Sequence, residues 1–333
     1  MNEANLIRRA GLPARVARAA VVVAALSAGA GIALAQSDRP VKFILPVATG
    51  SGVDTITRAA QPALSKSFGA PVVVENQPGA GGIVGTQALV KAAPDGATLS
   101  IVSNNHVIYP SVYKSVPFDP VADITPIAVI GSTPLVVVVN PTKVSAKNAK
   151  ELAALLKANP EKYNYASSGN GTILHLAAEM FLDQTGTTSN HIPYKGVGPM
   201  TTDIMGGQVD WGVLSLPSVQ GHITTGKLRA IGVGTATRVA AAPEIPTMVE
   251  QGIPGYLVDG WFAVIGPAKL PPAQVKRLHD GFEAAMAMPE VKEAMAKQGN
   301  VIKPTTPEAA AAFFKSEQEK YAKLVQKAGV KLD

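Results

Sequence analysis

Short apolar runs rich in β-branched residues alternate along the chain with segments whose apolar positions recur at helical spacing. The run VKFILPV at 41–47 is typical of a buried strand, and Ile56, Ala60 and Leu64 share one face of a helix predicted at 54–67. The same patterns predict a strand at 71–75, a helix at 83–92 and a strand at 98–102. This order predicts a parallel sheet with helices on both faces, the hallmark of an α/β protein.

A second series of the same kind begins near Ser145. It follows two apolar runs within 127–140 that are separated by the residues Gly-Ser-Thr-Pro at 131–134. The series is predicted to contain helices at 147–159, 169–183, 199–205 and 219–225 and strands at 163–167, 191–194, 209–214 and 230–235. An extended segment at 255–266 and helices around 273–286, 289–298 and 307–328 close the chain.

The two series predict two similar lobes, each a mainly parallel sheet flanked by helices. The chain would cross out of the first lobe near residue 135 and return near 256, so that 36–135 and 256–333 form lobe 1 and 136–255 form lobe 2. Two lobes joined by crossing strands form a hinged clamshell, which is a common way to enclose a small ligand.

The first 35 residues have the pattern of an export signal. Four arginines precede an apolar run at 19–34, which ends in the small-residue site Ala33-Leu34-Ala35. The alternative, a membrane anchor, is less favoured because a run of about 16 residues rich in Ala and Gly is short for a transmembrane helix. We therefore expect cleavage after Ala35, a periplasmic location and no direct membrane anchoring, with general secretion and twin-arginine export (Arg8-Arg9) both open.

Composition excludes several classes of protein. Hydrophobic residues make up 47% and charged residues 16%, which excludes a disordered chain, and the absence of cysteine excludes disulfides and thiolate metal sites. The net charge is +6, but the first 35 residues hold four Arg and one Glu, so 26 basic residues against 23 acidic ones leave +3. That excess is too small to predict a nucleic-acid partner.

Enzyme motifs are missing from the sequence. Residues 79–85 nearly match G-x-G-x-x-G, but Val84 stands where the last Gly or Ala belongs, and no acid for a ribose hydroxyl ends the next strand. There is no G-x-S-x-G, H-E-x-x-H or Walker lysine motif. His175 and Glu179 are spaced i, i+4, but nothing completes a metal site. We expect no catalytic activity, no cofactor and no bound metal.

Three Gly- or Ser-rich turns each follow a predicted strand and open a predicted helix, at 50–52, 79–82 and 167–172. The unpaired N–H groups of a first helical turn, together with the helix dipole, form an anion site. Such turns gather at the carboxyl ends of parallel strands, where ligands bind. Because two turns belong to lobe 1 and one to lobe 2, they are predicted to hold two ends of one anionic ligand; alternatively, their glycines only make tight turns.

Two side chains in these helices have two interpretations each. Asp54 could simply offset the helix dipole and cap free N–H groups, or it could order the first loop around a ligand carboxylate, in part through water. His175 could donate a hydrogen bond to the ligand or be a packed core histidine. The sequence leaves both alternatives open.

Seven collinear motifs resemble those of a known family. They are PVATGSGVDTITR at 46–58, ENQPGAGGIVG at 75–85, NNH at 104–106, YASSGNGTILHLAAE at 165–179, PYKGVGPMTTDIMGGQVD at 193–210, GKLRA at 226–230 and EQGIPG at 250–255. The chain resembles the solute-binding receptors of tripartite tricarboxylate transporters, the Bug receptors, over essentially its whole length after residue 35. The resemblance implies a periplasmic-binding-protein-like clamshell that captures a small carboxylate and delivers it to cognate membrane permease subunits.

The resemblance also implies a binding site. The ligand carboxylate would be held by the first loop and by the Ser-Gly turn, partly through ordered water, with His175 nearby. The candidate ligand-binding residues are Ala48, Thr49, Gly50, Ser51, Gly52, Asp54, Asn105, His106, Ser167, Ser168, Gly169, Asn170, Thr172, His175, Leu214 and Ser215. Gly169 is expected to permit a close backbone approach, so that Gly169→Val would crowd this approach and weaken binding.

The chain departs from the family's pattern at two positions. Ser51 replaces one of two paired glycines in the first loop, which adds a hydroxyl donor or reshapes the loop. Leu214 stands near the place where members that bind amino acids tend to have an acid, and an apolar side chain cannot neutralise an ammonium group. We therefore expect a di- or tricarboxylate without an amino group, or an aromatic dicarboxylate such as terephthalate lying against Leu214.

One alternative function uses the same pocket. A periplasmic sensing subunit would present its liganded form to a signalling protein rather than to a permease. The sequence does not separate these two functions. In either, a ligand that contacts both lobes only in the closed form would drive closure.

Overall fold

The computed structural model describes residues 39–330, and strands and helices alternate along them as the sequence predicts. The strands are β1 (Val41–Leu45), β2 (Val72–Asn76), β3 (Thr98–Ser103), β4 (Ile124–Val139), β5 (Asn164–Ser167), β6 (Asn190–Pro193), β7 (Trp211–Ser215), β8 (Arg229–Val233), β9 (Asp259–Pro267) and β10 (Val301–Ile302). The helices are α1 (Gly52–Phe68), α2 (Ile83–Val90), α3 (Asn105–Val112), α4 (Ala149–Ala158), α5 (Ile173–Thr185), α6 (Val197–Gly206), α7 (Leu216–Thr224), α8 (Pro272–Ala287), α9 (Pro289–Lys297) and α10 (Pro307–Ala328). The predicted export signal and its cleavage site after Ala35 lie outside the described residues.

Two parallel groups of strands are joined by antiparallel ones. β1 pairs in parallel with β2 and β3, and β5 pairs in parallel with β6 and β7. β9 lies antiparallel between β3 and β4, and β4 pairs antiparallel with β7, β8 and β10. The described sheet is therefore mixed, whereas the sequence predicted mainly parallel sheets, because the crossing strands add antiparallel ladders.

Strand β4 connects the two groups. Its residues from Ile124 to Pro134 pair with β9, and its residues from Leu135 to Val139 pair with β7 and β8. The partner of β4 thus changes next to the predicted crossing at residue 135. The lobe boundaries 36–135, 136–255 and 256–333 stay a prediction.

The sequence suggested two apolar runs at 127–140, but β4 is one continuous strand. Gly131 does not interrupt it. A Cβ at this position would lie 2.0 Å from the carbonyl oxygen of Val301, so the close passage of β10 requires a glycine. The Gly-Ser-Thr-Pro sequence therefore lies within one strand, at the point where β10 pairs with it.

Each group of strands has its own apolar core. In the first, Phe43 of β1 meets Phe282 of α8 edge to face at 5.7 Å, and Phe68 of α1 meets the same ring at 5.5 Å. In the second, Trp211 of β7 packs on Phe181 of α5 at 5.7 Å. Fully burying a large apolar side chain contributes about 1.5–3 kcal/mol, so these clusters hold the helices on the sheet.

Helices α8 and α9 pack against α1, as the predicted return to the first lobe requires, but α10 packs against α3, β4 and α5. Two helix predictions need correction. α5 begins at Ile173, not at residue 169, because Gly169 and Gly171 have φ of +136° and +70°, outside the helical region. Helix α3 was not predicted. In the part of the chain from 39 to 330, no helix combines the length and apolarity needed to cross a bilayer.

Candidate functional site

A cavity of about 750 Å³ lies between the two groups of strands. One part of its wall is formed by the turns that follow β1, β2, β5 and β6, and another by β4 and β9 where they cross. This is the sheet edge at which the carboxyl ends of the parallel strands meet, as the sequence predicts.

The structure brings together nine of the sixteen candidate residues at this cavity. Those that line it are Ala48, Ser51, Gly52, Asn105, Ser168, Gly169, Asn170, Thr172 and Ser215. Those outside the lining are Thr49, Gly50, Asp54, His106, Ser167, His175 and Leu214. Contact of any of them with a ligand stays a prediction.

Helix α1 opens toward the cavity with a reciprocal cap. Ser51 is the N-cap residue, and its Oγ accepts a hydrogen bond from Asp54 N–H at 3.3 Å. The carboxylate of Asp54 reaches back and accepts from Gly50 N–H at 2.9 Å. It also accepts from Arg58 Nε at 2.9 Å and from Asn76 Nδ2 at 3.0 Å. Asp54 is buried behind the loop and fixes its backbone, so it is a positioning residue in this geometry.

Helix α5 has the same arrangement. Thr172 is its N-cap residue, and Thr172 Oγ1 accepts from His175 N–H at 3.4 Å. His175 Nδ1 accepts from Gly171 N–H at 3.0 Å, which assigns the ring proton to Nε2. Thr172 Oγ1 also donates to the carbonyl of Gly169 at 2.8 Å. His175 therefore lies behind its turn, as Asp54 does.

These caps leave a specific set of N–H groups unpaired. Within the described chain, the N–H groups of Gly52 and Val53, the first two residues of α1, have no acceptor. The same holds for Leu174 at the second position of α5, and for Ser168 and Asn170 in the turn before it. All five residues line the cavity. Two helix dipoles and five free donors thus favour an anion there.

The turn at 79–82 lines the cavity as well, and some of its backbone groups have partners. Gly82 N–H donates to the carbonyl of Gly79 at 2.8 Å, and the hydroxyl of Tyr109 donates to the carbonyl of Gly81 at 2.8 Å. A Cβ at Gly82 would lie 2.0 Å from that hydroxyl. Gly82 therefore serves close packing, and anion binding at this turn stays a prediction.

Three histidines lie outside the cavity lining and are held neutral by burial. Burial and the neighbouring His191 lower the pKa of His175 to about 3, and burial lowers the pKa of His191 to about 4. The two rings stack at 3.9 Å, and His191 Nε2 lies 2.6 Å from Ser167 Oγ. Burial also lowers the pKa of His106 to about 4.

Two candidate residues lie in the core. His106 Nε2 bonds the carbonyl of Pro120 at 2.7 Å, and the ring stacks on Phe118. Leu214 is fully buried on β7, paired with Val136 of β4. Leu214 therefore lies in the apolar core and outside the cavity lining, so the structure does not place it where the sequence expected an aromatic ligand to lie.

The two sides of the cavity touch at several points. Asn105 Oδ1 of α3 accepts from the N–H of Ile173, the first residue of α5, at 2.7 Å. A Cβ added at Gly52 would lie 3.0 Å from Ser215 Oγ, and one added at Gly196 would lie 3.1 Å from the Cβ of Ala48. These contacts enclose the cavity between elements of the first and second series.

A Cβ at Gly169 would lie 3.5 Å from the carbonyl oxygen of Tyr194 and 3.7 Å from the Cγ2 of Thr172, and both are ordinary contacts. The protein itself therefore leaves room for a Cβ there, and the expected crowding of a bound ligand by Gly169→Val stays a prediction. Gly169 has φ of +136°, which side chains rarely adopt, so a substitution would also strain the backbone.

The sequence did not identify several residues of the lining. Lys195 is its one charged side chain, and within the described residues no Asp or Glu lines the cavity. Lys195 directly follows β6, the parallel neighbour of β5, so its place at the same sheet edge could have been predicted. Leu135, Trp261 and Phe262, on β4 and β9, form an apolar wall. Their meeting depends on a pairing between distant segments, which no local pattern signals.

Comparison with known proteins places this geometry in a family context. Residues 56–330 match the family model described as tripartite tricarboxylate transporter family receptor. The chain is 35% identical over 322 residues to protein BugT of Bordetella pertussis, an alignment that covers 95% of this chain and 98% of the relative.

Two solved structures are similar over nearly their whole length. The periplasmic binding protein BugD has 33% identity and a TM-score of 0.84, with 88% of this chain and 99% of BugD covered. The R. palustris protein Rpa4515, solved with adipate, has 27% identity and a TM-score of 0.84, with the same coverage. These likenesses confirm the predicted α/β fold of the periplasmic-binding-protein type.

Proposed function

This chain belongs to the tripartite tricarboxylate transporter receptor family, and from that membership we propose that it captures a small carboxylate without an amino group in the periplasm. It carries this ligand unchanged to cognate membrane permease subunits. The observation that carries the proposal is the cavity lined by five residues with unpaired N–H groups, which lie at the start of α1, at the start of α5 and in the turn before α5. Backbone donors on two sides of a cavity suit the oxygens of a carboxylate.

The charges of the lining support the choice of ligand. Lys195 adds a cation, and no acidic side chain of the described residues lines the cavity. An ammonium group would therefore be desolvated without a partner, which is costly, whereas a carboxylate would gain donors. Adipate in the related R. palustris structure supports the same chemical class. The wall of Leu135, Trp261 and Phe262 offers contact to an apolar linker or an aromatic ring.

A matched pair of ligands tests the proposal. Malate and aspartate share both carboxylates and differ in a hydroxyl against an ammonium group. Thermal shift and calorimetry on the protein lacking residues 1–35 should detect binding of malate, adipate or terephthalate and markedly weaker binding of aspartate and glutamate, because a ligand of the native state raises its melting temperature. Tight binding of aspartate or glutamate with none of the other acids would overturn the proposal.

The chain also supplies an optical reporter. It has two tryptophans, Trp211 in the core and Trp261 at the cavity wall. A Trp211→Phe variant leaves Trp261 as the emitter, so an acid that enters the cavity should change its fluorescence. This signal separates binding in the cavity from binding elsewhere on the surface.

A further inference from the structure

A buried hydroxyl at the cavity has no partner. Thr133 lies on β4, paired with Gly260 of β9 where the two strands cross, and its side chain lines the cavity. The residue is 7% exposed, and within the described residues its Oγ1 has no hydrogen-bond partner. A Cβ at Gly260 would lie 2.7 Å from the Cγ2 of Thr133, so the methyl group of Thr133 fills the space over Gly260.

The neighbouring polar side chains of Trp261 and Asn104 are already bonded. The indole N–H of Trp261 donates to Glu317 at 2.8 Å. Asn104 Oδ1 accepts from Trp261 N–H at 2.9 Å, and Asn104 Nδ2 lies 2.6 Å from the hydroxyl of Tyr321, to which it donates. Among the described residues that β4 and β9 contribute to the lining, the Thr133 hydroxyl is the one uncommitted polar side-chain group.

A buried hydroxyl without a partner is destabilising, and valine would fill the same space without that cost. We propose that the Thr133 hydroxyl bonds an oxygen of the ligand, one that lies away from the carboxylate held at the starts of α1 and α5. The ligand class is then a carboxylate with a second oxygen function, either another carboxylate or a hydroxyl group. This inference rests on the proposed function and adds a specificity-determining residue on a different wall of the cavity.

The test compares Thr133→Val, which removes the hydroxyl and keeps the shape, with Thr133→Ser, which keeps the hydroxyl. Calorimetry with adipate and malate measures affinity for acids with a second oxygen function. Hexanoate, which has the carbon chain of adipate and one carboxylate fewer, is the matched probe without it. The melting temperature of each ligand-free variant is measured alongside.

We expect Thr133→Val to weaken binding of adipate or malate about tenfold and Thr133→Ser to retain affinity within about threefold. Affinity for hexanoate should not change with Thr133→Val. Ligand-free Thr133→Val should be as stable as the parent or more stable, because an unpaired hydroxyl is replaced by a methyl group. A variant that binds poorly because it folds poorly would show a lower melting temperature instead.

Two results overturn the inference while the proposed function stands. In one, Thr133→Val binds adipate and malate as the parent does. In the other, hexanoate loses as much affinity as adipate, which would place Thr133 against the shared part of the two acids. If the parent binds none of the panel of acids, the proposed function fails and the inference fails with it.

Discussion

Replacing Asp54 by Asn removes a charge from the first loop but keeps the shape of the side chain. The carboxylate accepts from Gly50 N–H and Arg58 Nε, both at 2.9 Å, and from Asn76 Nδ2 at 3.0 Å. All three partners are donors. A carboxamide keeps one acceptor oxygen and turns an NH₂ group toward one of the donors, so at least one donor loses its partner.

The size of the effect follows from burial. A hydrogen bond to a charged group contributes about 1.5–3 kcal/mol, and removing one partner of a buried ion pair costs about 3–5 kcal/mol. The Asp54 side chain is 4% exposed, but that of Arg58 is 45% exposed and keeps contact with water. The ion pair therefore counts for less than a fully buried one, and we expect Asp54→Asn to lower the free energy of unfolding by about 2–4 kcal/mol.

Urea unfolding followed by circular dichroism measures this loss. The matched control is Glu293→Gln on α9, because Glu293 pairs with Lys297 at 2.7 Å in the same i, i+4 order with both side chains exposed. The control should change stability far less, since exposed pairs contribute little. A loss in Asp54→Asn no larger than that of the control would refute the argument that Asp54 holds the loop.

Two further predictions follow from the site. Gly52→Ala should weaken acid binding about fivefold, because the added methyl group would press on Ser215 Oγ. Ser215→Gly in the double variant should restore the affinity. Equal affinities of all variants in calorimetry would contradict this contact. Burial lowers the pKa of His106 to about 4, and it lowers those of His175 and His191 similarly. The three groups therefore contribute stability that is fully present above pH 6.5, the ordinary pKa of histidine, and that is lost as the pH falls toward 4. For His106 alone, the free energy of unfolding should fall by about 3 kcal/mol over this pH range, as urea unfolding at a series of pH values would measure. If His106→Phe leaves this pH dependence unchanged, the prediction is contradicted.

The order of strands and helices could be predicted because most elements carry a clear local signal. β-Branched apolar runs marked the strands, and helical spacing marked α1, α4 and α8. Helix α3 carries no such signal, because consecutive residues from His106 to Tyr109 are buried and Pro110 lies within it. Four consecutive buried residues span a full helical turn, so helical periodicity shows no polar face there.

The position of the cavity could also be predicted from the sequence, but the strand faces that line it could not. The turns after β1 and β5 were placed at the cavity because parallel strands end at one sheet edge. Leu214 was placed there wrongly, because every residue of β7 is buried and no polar alternation shows which face meets the cavity. Thr133 and Trp261 are brought together by pairing between segments far apart in the chain.

The caps of α1 and α5 explain why two candidate ligand-binding residues lie behind the cavity instead. In each helix the third residue, Asp54 or His175, accepts from a loop N–H four residues earlier, and the N-cap hydroxyl accepts from that third residue's own N–H. The cap therefore pairs the N–H group of the residue before the N-cap and the N–H group of the third helical residue. It leaves the N–H groups of the first and second helical residues without a partner from the cap. In α5 the N–H group of the first residue, Ile173, donates to Asn105, so only that of Leu174 remains unpaired. In α1 the N–H groups of both Gly52 and Val53 remain unpaired among the described residues. A loop whose backbone is already fixed loses little entropy when an anion binds, so we expect the side chains that fix the loop to raise the affinity for an anion even without contacting it.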